Sequence, residues 1–315
     1  PPPQYPPPPA SYPQPVPILA TCFTPDGQYV VAGGYHELTV WNPADASLVR
    51  RIPNIGQRVF ALTFAADGKT LAVGCGEPGR SGEVRLVDFE SGEVTAVVAR
   101  TTDVVLDVAF RPGTHELAVA AADSIIRIID TQALTEVRAI ASHADWVTAV
   151  AWSEDGTRLA SASRDKSAKV YDGATGELLS SYLGHGAAVR GVAILPGATQ
   201  VVSSGADQKL HRWEIEGAKK TAETALGAEA FKLVQLPKSV LVPCAERRLI
   251  QVDLETNKIS HQFDGHQDWV LSIAARTSPT DDPASALLAS GAFNGEIRVW
   301  NAVDGSSVAA WVAKP

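Results

Sequence analysis

HADWVTAVAWSEDGTRLASASRDKSAKVYD, residues 143–172, carries one complete unit of the chain. His143 comes first, followed by the apolar run Val147 to Trp152 and the turn Glu154-Asp155-Gly156. A second run ends in Ser161, a tight turn holds Asp165, and a third run ends in Tyr171-Asp172. Small or apolar positions alternate with polar ones along each run, which predicts three short strands joined by hairpin turns. The next stretch repeats the plan with His185, Val189 to Leu195, Pro196-Gly197, Ser203, Asp207 and Trp213. Ile129, Tyr171 and Trp213 follow one another at intervals of 42 residues. A repeat of about 40–45 residues with four strands per unit is the signature of a propeller blade.

The same pattern runs outward in both directions. It predicts an all-β chain, a seven-bladed propeller with four antiparallel strands per blade. The blades are placed near 17–54, 55–100, 101–141, 142–183, 184–225, 226–264 and 265–315, after a Pro-rich lead at 1–16. Blade six is degenerate, with an innermost strand expected over Phe231 to Leu236. Blade two has a Gly-rich segment, Gly76 to Gly82, expected as an exposed loop that contacts a partner. Blade seven carries an insertion, Thr277 to Pro283. Each unit owns four strands, so the ring is expected to close by packing blade one against blade seven. A swapped edge strand from the lead is the alternative, since Pro is tolerated at an edge.

The lead, PPPQYPPPPASYPQPV, favours polyproline II and cannot build a core. It reads as a semi-rigid spacer, or else as a ligand for an aromatic-lined groove; no basic residue flanks the prolines to orient them. The chain opens on Pro and has no methionine, which reads as a mature product, a fragment or an excised domain. Net charge is −8 and no block of Lys and Arg is dense, which ranks nucleic acid low as a partner. No apolar run approaches the length of a membrane span, and no secretory apolar region stands at the N-terminus. Cys22, Cys75 and Cys244 are far apart, outside any C-x-x-C spacing, and read as small buried thiols.

With His, Ser, Asp and Trp recurring in order, the chain resembles the WD40-repeat family over residues 17–314. The resemblance implies that these side chains form a buried hydrogen-bonded set inside each blade. Blade five matches as His185, Ser203, Asp207 and Trp213. Blade four matches as His143, Ser161 and Asp165, with Tyr171 in place of Trp. Blade seven matches as His266, Ser290 and Trp300, with Asn294 in place of Asp. Blades one, two, three and six depart from the pattern. The segments GGYHELTVWNP, GRSGEVRLVD and TTDVVLDVAF, with 143–172, look like the propeller modules attached to planctomycete-type c-type cytochrome domains. That likeness implies a haem domain or redox protein as partner and a periplasmic or cell-envelope location.

Ser, His and Asp are also the residues of a nucleophilic triad. A nucleophile needs a cleft and an oxyanion hole, and no Gly-x-Ser-x-Gly elbow occurs. His36-Glu37 and His115-Glu116 lack the second His of a zinc helix, and Gly68-Lys69-Thr70 lacks the earlier Gly of a phosphate loop. Asp281-Asp282 reads as solvated loop. No catalytic, metal-binding or cofactor-binding residues are therefore assigned.

The surface carries the functional expectation. The loops entering each innermost strand and the turns before each Asp place Arg58, Asp103, Asp145, Trp146, Arg164, Arg190, Asp268, Trp269 and Phe293 on one face of the ring. Trp and Arg are enriched at interface hot spots. The repeated Asp-Trp-Val of blades four and seven either packs its Trp on a neighbouring blade or forms an exposed aromatic site. The expected function is a non-catalytic protein-interaction scaffold. The alternatives are a structural subunit contacted through the blade sides, and a small-ligand or enzymatic propeller using the central channel.

Overall fold

The computed structural model describes residues 2, 4–276 and 286–315; the insertion Thr277 to Pro283 and the pair Asp281-Asp282 lie outside them. Seven four-stranded antiparallel sheets follow one another in sequence order, and each pairs only consecutive strands. The one helical element among the described residues is the short turn Glu216–Ala218. Among the described residues no helix is long and apolar enough to cross a membrane.

The strand sequences explain why the sheets must stack sideways. The second strand of each blade is small or apolar along most of its length and buried on both faces apart from its ends, as in Val30–Gly33, Arg158–Ser163 after its first residue and Gln200–Gly205 after its first residue. Such a strand needs cover on both sides. Each of seven apolar clusters joins one blade to the next. One, for example, joins Val170 of blade four to Val189 and Trp213 of blade five. The seam that closes the ring unites Phe23, Val30 and Trp41 of blade one with Ala274, Ala289 and Val299 of blade seven. Closure thus comes from blade-on-blade packing, and the described residues of the lead add no strand to any sheet.

Two local expectations change. The Gly76 to Gly82 segment is a long hairpin, not a loop: strands Thr70–Glu77 and Ser81–Asp88 pair through Gly76 and Gly82. A Cβ on Gly76 would stand 2.3 Å from Ser81 O, so only glycine permits that backbone approach. Only residues 78–81 at its tip are exposed. In blade six the innermost strand shrinks to Val234–Gln235 plus an isolated bridge at Ala230–Cys244. Pro243 on the neighbouring strand has no N–H to donate, and Phe231 N bonds its carbonyl at 2.9 Å. Cys75 sits inside Thr70–Glu77 and Cys244 just beyond Ser239–Pro243; burial pushes both thiols up to about 12.

Buried polar networks pin three blades. In blade five, Trp213 Nε1–H donates to Ser203 Oγ (3.1 Å), which leaves the Ser hydroxyl to donate to His185 Nε2 (2.8 Å). The Nδ1–H then donates to Asp207 Oδ2 at 2.8 Å, and Gly186 N donates to the same oxygen at 3.0 Å. Blade four repeats this through Ser161, His143 and Asp165 (2.6 and 2.8 Å), and Tyr171 OH meets Ser142 Oγ at 2.5 Å. In blade seven Trp300 donates to Ser290 (2.8 Å), which meets His266 at 2.6 Å.

The carboxylate of that third network is Glu296 and not a group at Asn294. His266 Nδ1 lies 2.9 Å from Glu296 Oε2. The Asn294 side chain instead accepts the amide of Glu296 at 3.1 Å, closing a turn. A neutral amide there gives the imidazole no charge to face, and the longer Glu two residues on reaches back. Arg298 grips the other Glu296 oxygen at 2.8 Å.

Burial lowers the pKa of His143, His185 and His266 despite their carboxylates, and lowers that of His211 to about 4. Burial alone would raise Asp165, but hydrogen bonds from Ser167 and His143 hold it well below the usual range. The unfolded chain therefore binds more protons than the folded one below the histidines' ordinary value of 6.5. Their stabilisation is complete above that pH and lost as pH falls through it, continuing to about 4 for His211. Each titrating histidine contributes a slope of up to about 1.4 kcal/mol per pH unit. Calorimetry between pH 7 and pH 5 should show the melting temperature falling. Asp207→Ala, which leaves His185 Nδ1–H and Gly186 N–H unpaired, should cost about 1–3 kcal/mol at pH 7. A melting point equal to that of the parent would contradict this role.

Candidate interaction face

Five innermost strands carry the same irregularity at the same place. Register skips Phe60 in blade two, Leu106 in blade three, Thr148 in blade four, Arg190 in blade five and Leu271 in blade seven. Each skipped residue follows a buried valine: Val59, Val105, Val147, Val189 and Val270. A bulge re-aims the extra side chain out of the pleat. Here these five, with Leu19 of blade one and Lys232 of blade six, converge on one recess at the mouth of the channel. Every blade contributes one side chain to this circle. Leu271, Leu19, Phe60 and Leu106 make an apolar arc; Thr148, Arg190 and Lys232 make a polar one.

The charges of the polar arc are already matched. Lys232 Nζ reaches across the channel to Asp107 Oδ1 of blade three (3.0 Å) and to Phe60 O of blade two (2.9 Å). Asp107 Oδ2 also accepts Val150 N at 3.0 Å. Arg190 lies over the Phe231 ring at 5.1 Å and pairs Glu229 at 3.1 Å. Arg164 lies over the Trp146 ring at 4.2 Å and pairs Asp145 at 2.8 Å. The result is an apolar floor with guanidinium-backed aromatic walls. A partner's carboxylate can compete for these arginines, and its apolar side chains can cover the arc.

The nine residues expected on this face divide by role. Trp146, Arg164 and Arg190 line the recess. Trp269 and Phe293 lie beside it in a chain of rings, Phe231 to Trp269 at 6.4 Å and Trp269 to Phe293 at 6.5 Å. Trp146, Trp269 and Phe293 are 37%, 49% and 53% exposed, so each keeps open surface even where, as at Trp269 beside Phe231, its ring meets the neighbouring blade. Asp145 and Asp268 accept the amides of Trp146 and Trp269, each at 2.8 Å, and so set the loop that presents each indole. Asp103 serves the hairpin tip, accepting Gly79 N at 2.9 Å. Arg58 and Phe293 border a second hollow with Val16, Pro17 and Gly34.

Sequence reasoning missed Leu19, Phe60, Leu106, Asp107, Thr148, Lys232 and Leu271. Part of the signal was present: Phe60, Leu106, Thr148 and Leu271 each directly follow a valine at the head of an apolar run, and Asp107 is a lone charge inside such a run. Ser161, Ser203 and Ser290 are fully buried within their blades, so the Ser–His–carboxylate geometry has no cleft in which to attack a substrate.

Residues 134–172, 176–214 and 257–301 match the family model described as WD domain, G-beta repeat (WD40). These three repeats, set in a seven-bladed ring, support the WD40 propeller family. The chain is also similar to the meiotic recombination protein rec14 of Schizosaccharomyces pombe, 28% identical over 113 residues. That match covers 35% of this chain and 36% of the relative, so the chain spans about a third of the length of the curated relative it matches.

Lys232→Met should leave Asp107 without its cation and lower stability by about 1–2 kcal/mol, because water still reaches the pair. Adding Asp107→Asn should recover most of the loss in a double-mutant cycle. Additive effects would show that the two side chains do not interact.

Proposed function

We propose that this WD40-type propeller is a non-catalytic scaffold that holds a protein partner on the channel-mouth face. The observation that carries the reading is the circle of bulge-directed side chains with half-exposed Trp146 and Trp269 at its rim. Exposed aromatics beside arginine are the composition of an interface centre. The Lys232–Asp107 bridge crosses the channel mouth, which disfavours a small substrate threading the axis. The partner that fits is an extended segment with apolar side chains for the arc and an acidic group for Arg164 or Arg190.

Two finer readings follow from resemblance. The likeness of several segments to cytochrome-linked modules supports a haem domain or redox protein as the partner. A Cys-x-x-Cys-His in the coding region preceding Pro1 would support that link, and its absence would remove it. The likeness to a meiotic recombination protein covers about a third of each chain, which specifies no process for this one. A second reading, contact through the blade sides, has its own observation: Leu178, Leu179 and Leu183 are exposed on and just after the outermost strand of blade four.

Quantitative pull-down with the intact chain and with Trp146→Ala/Trp269→Ala separates the readings. The double variant should lose at least tenfold of its captured partner while melting normally. Retained capture, lost instead in Leu179→Lys/Leu183→Lys, would favour the blade sides and overturn the face.

A further inference from the structure

The Pro-rich lead is seated on the ring as a strap. Ile18 N–H donates to Ala292 O of blade seven at 3.1 Å. Pro15 and Val16 pass over Gly295, where a Cβ would stand 2.8 Å from Pro15 Cβ. Tyr12 then turns into blade one and is buried. Its hydroxyl donates to Glu37 and accepts Tyr35 N–H at 2.9 Å. A Cβ on Gly34 would lie 2.6 Å from that hydroxyl. Arg51 holds both Glu37 oxygens (2.6 and 2.7 Å) and donates to the carbonyls of Ala10 (2.9 Å) and Pro9 (2.6 Å).

Tyr5 repeats the arrangement in blade two. Its hydroxyl donates to Glu83, and its amide donates to Asn54 Oδ1 at 2.8 Å. Its ring lies under the Arg85 guanidinium, 4.4 Å from the centroid, and Arg85 reaches Glu83 at 3.2 Å. Seven residues of polyproline II span about 22 Å, which takes the strap from one blade to the next.

The three glutamates Glu37, Glu83 and Glu296 share one strand position, four residues before Trp41, Val87 and Trp300. In blade seven the donor to that glutamate is His266. Blades one and two have no such histidine, and a strap tyrosine supplies the donor. The Glu37 side chain is wholly buried and that of Glu83 nearly so, so a missing hydroxyl leaves a poorly solvated carboxylate short of a donor.

We infer that Glu37 with Arg51 and Glu83 with Arg85 form a two-slot receptor for a polyproline strand bearing tyrosines seven residues apart, with residues 4–16 as its ligand held in cis. This peptide site is separate from the channel-mouth recess and does not depend on it. Recognition requires a phenol. Phenylalanine has no hydrogen to donate to the carboxylate. A phosphotyrosine would set two negative charges against it, so phosphorylation of either tyrosine would expel the strap.

The full-length chain provides the test. Tyr5→Phe/Tyr12→Phe should exchange the Tyr5-position amide at least tenfold faster than the parent while the blade amides stay protected. A labelled peptide of residues 1–16, added in trans, should bind that variant at least tenfold more tightly than the parent, whose own strap competes at high effective concentration. Peptides carrying Phe or phosphotyrosine at both positions should bind neither chain. Equal binding by the Phe peptide, or a variant whose strap amide is as protected as the parent's, overturns the receptor. Should the double variant unfold, Tyr5→Phe alone, at the partly open slot, is read against the same criteria. Loss of the pull-down partner in Trp146→Ala/Trp269→Ala leaves this outcome unaffected.

Discussion

The constraint on which the molecule depends is that each blade is a sheet with two apolar faces and no means of covering either. A four-stranded sheet whose second strand is buried on both sides must be flanked twice. Seven seams, each shared by two blades, satisfy that need only when the row bends round to meet itself. Closure also leaves no central strand edge open to pairing with another chain. The seam of blades one and seven is built of the same small and branched residues as the others, which is why no exchanged strand is needed to fasten it.

A second problem recurs at one place in several blades: an acidic side chain stands near the turn into the third strand and must be satisfied. Blades four and five do it with a histidine wired to a buried serine. Blade seven uses the same histidine with a glutamate displaced by two residues. Blade three has no histidine and pairs Asp123 with Arg127 instead, at 2.7 Å. Blades one and two take their donor from the Pro-rich strap. The chemistry common to all is a hydrogen bond to a poorly solvated carboxylate, whose loss costs more than its formation gains. Blade five shows the limit of the device. Asp207 Oδ1 finds no hydrogen-bond partner, because Lys209 stands where Ser167 serves Asp165 in blade four.

Function grows from departures from regularity. Five bulges turn one side chain per blade out of the pleat and gather them over the channel. Asp145 and Asp268 fold back on their own loops and hold two indoles half-exposed. The strap occupies the turns of blades seven, one and two, where its Val16, Tyr12 and Tyr5 contacts lie. Blades three to six are left to present the arginine-backed aromatics.

Much of this was legible in the chain. The 42-residue spacing from Ile129 to Trp213, the alternation of small and polar residues, and the order His, Ser, Asp, Trp specified blade number and strand plan, because period and burial are local properties of sequence. The place of Trp146 and Trp269 in loops ahead of a strand was legible for the same reason, but whether each indole packs on a neighbouring blade or stays open was not. Asn294 misled because the pattern matched a position, whereas the histidine seeks a charge and found it in Glu296. Gly76 to Gly82 misled because glycines that look like loop formers were allowing two strands to pair closely. What only the tertiary structure decided was which distant groups meet. Lys232 meets Asp107 across the channel, and Tyr5 and Tyr12 meet Glu83 and Glu37, because closing a ring brings together side chains that no repeat, however regular, places near one another along the chain.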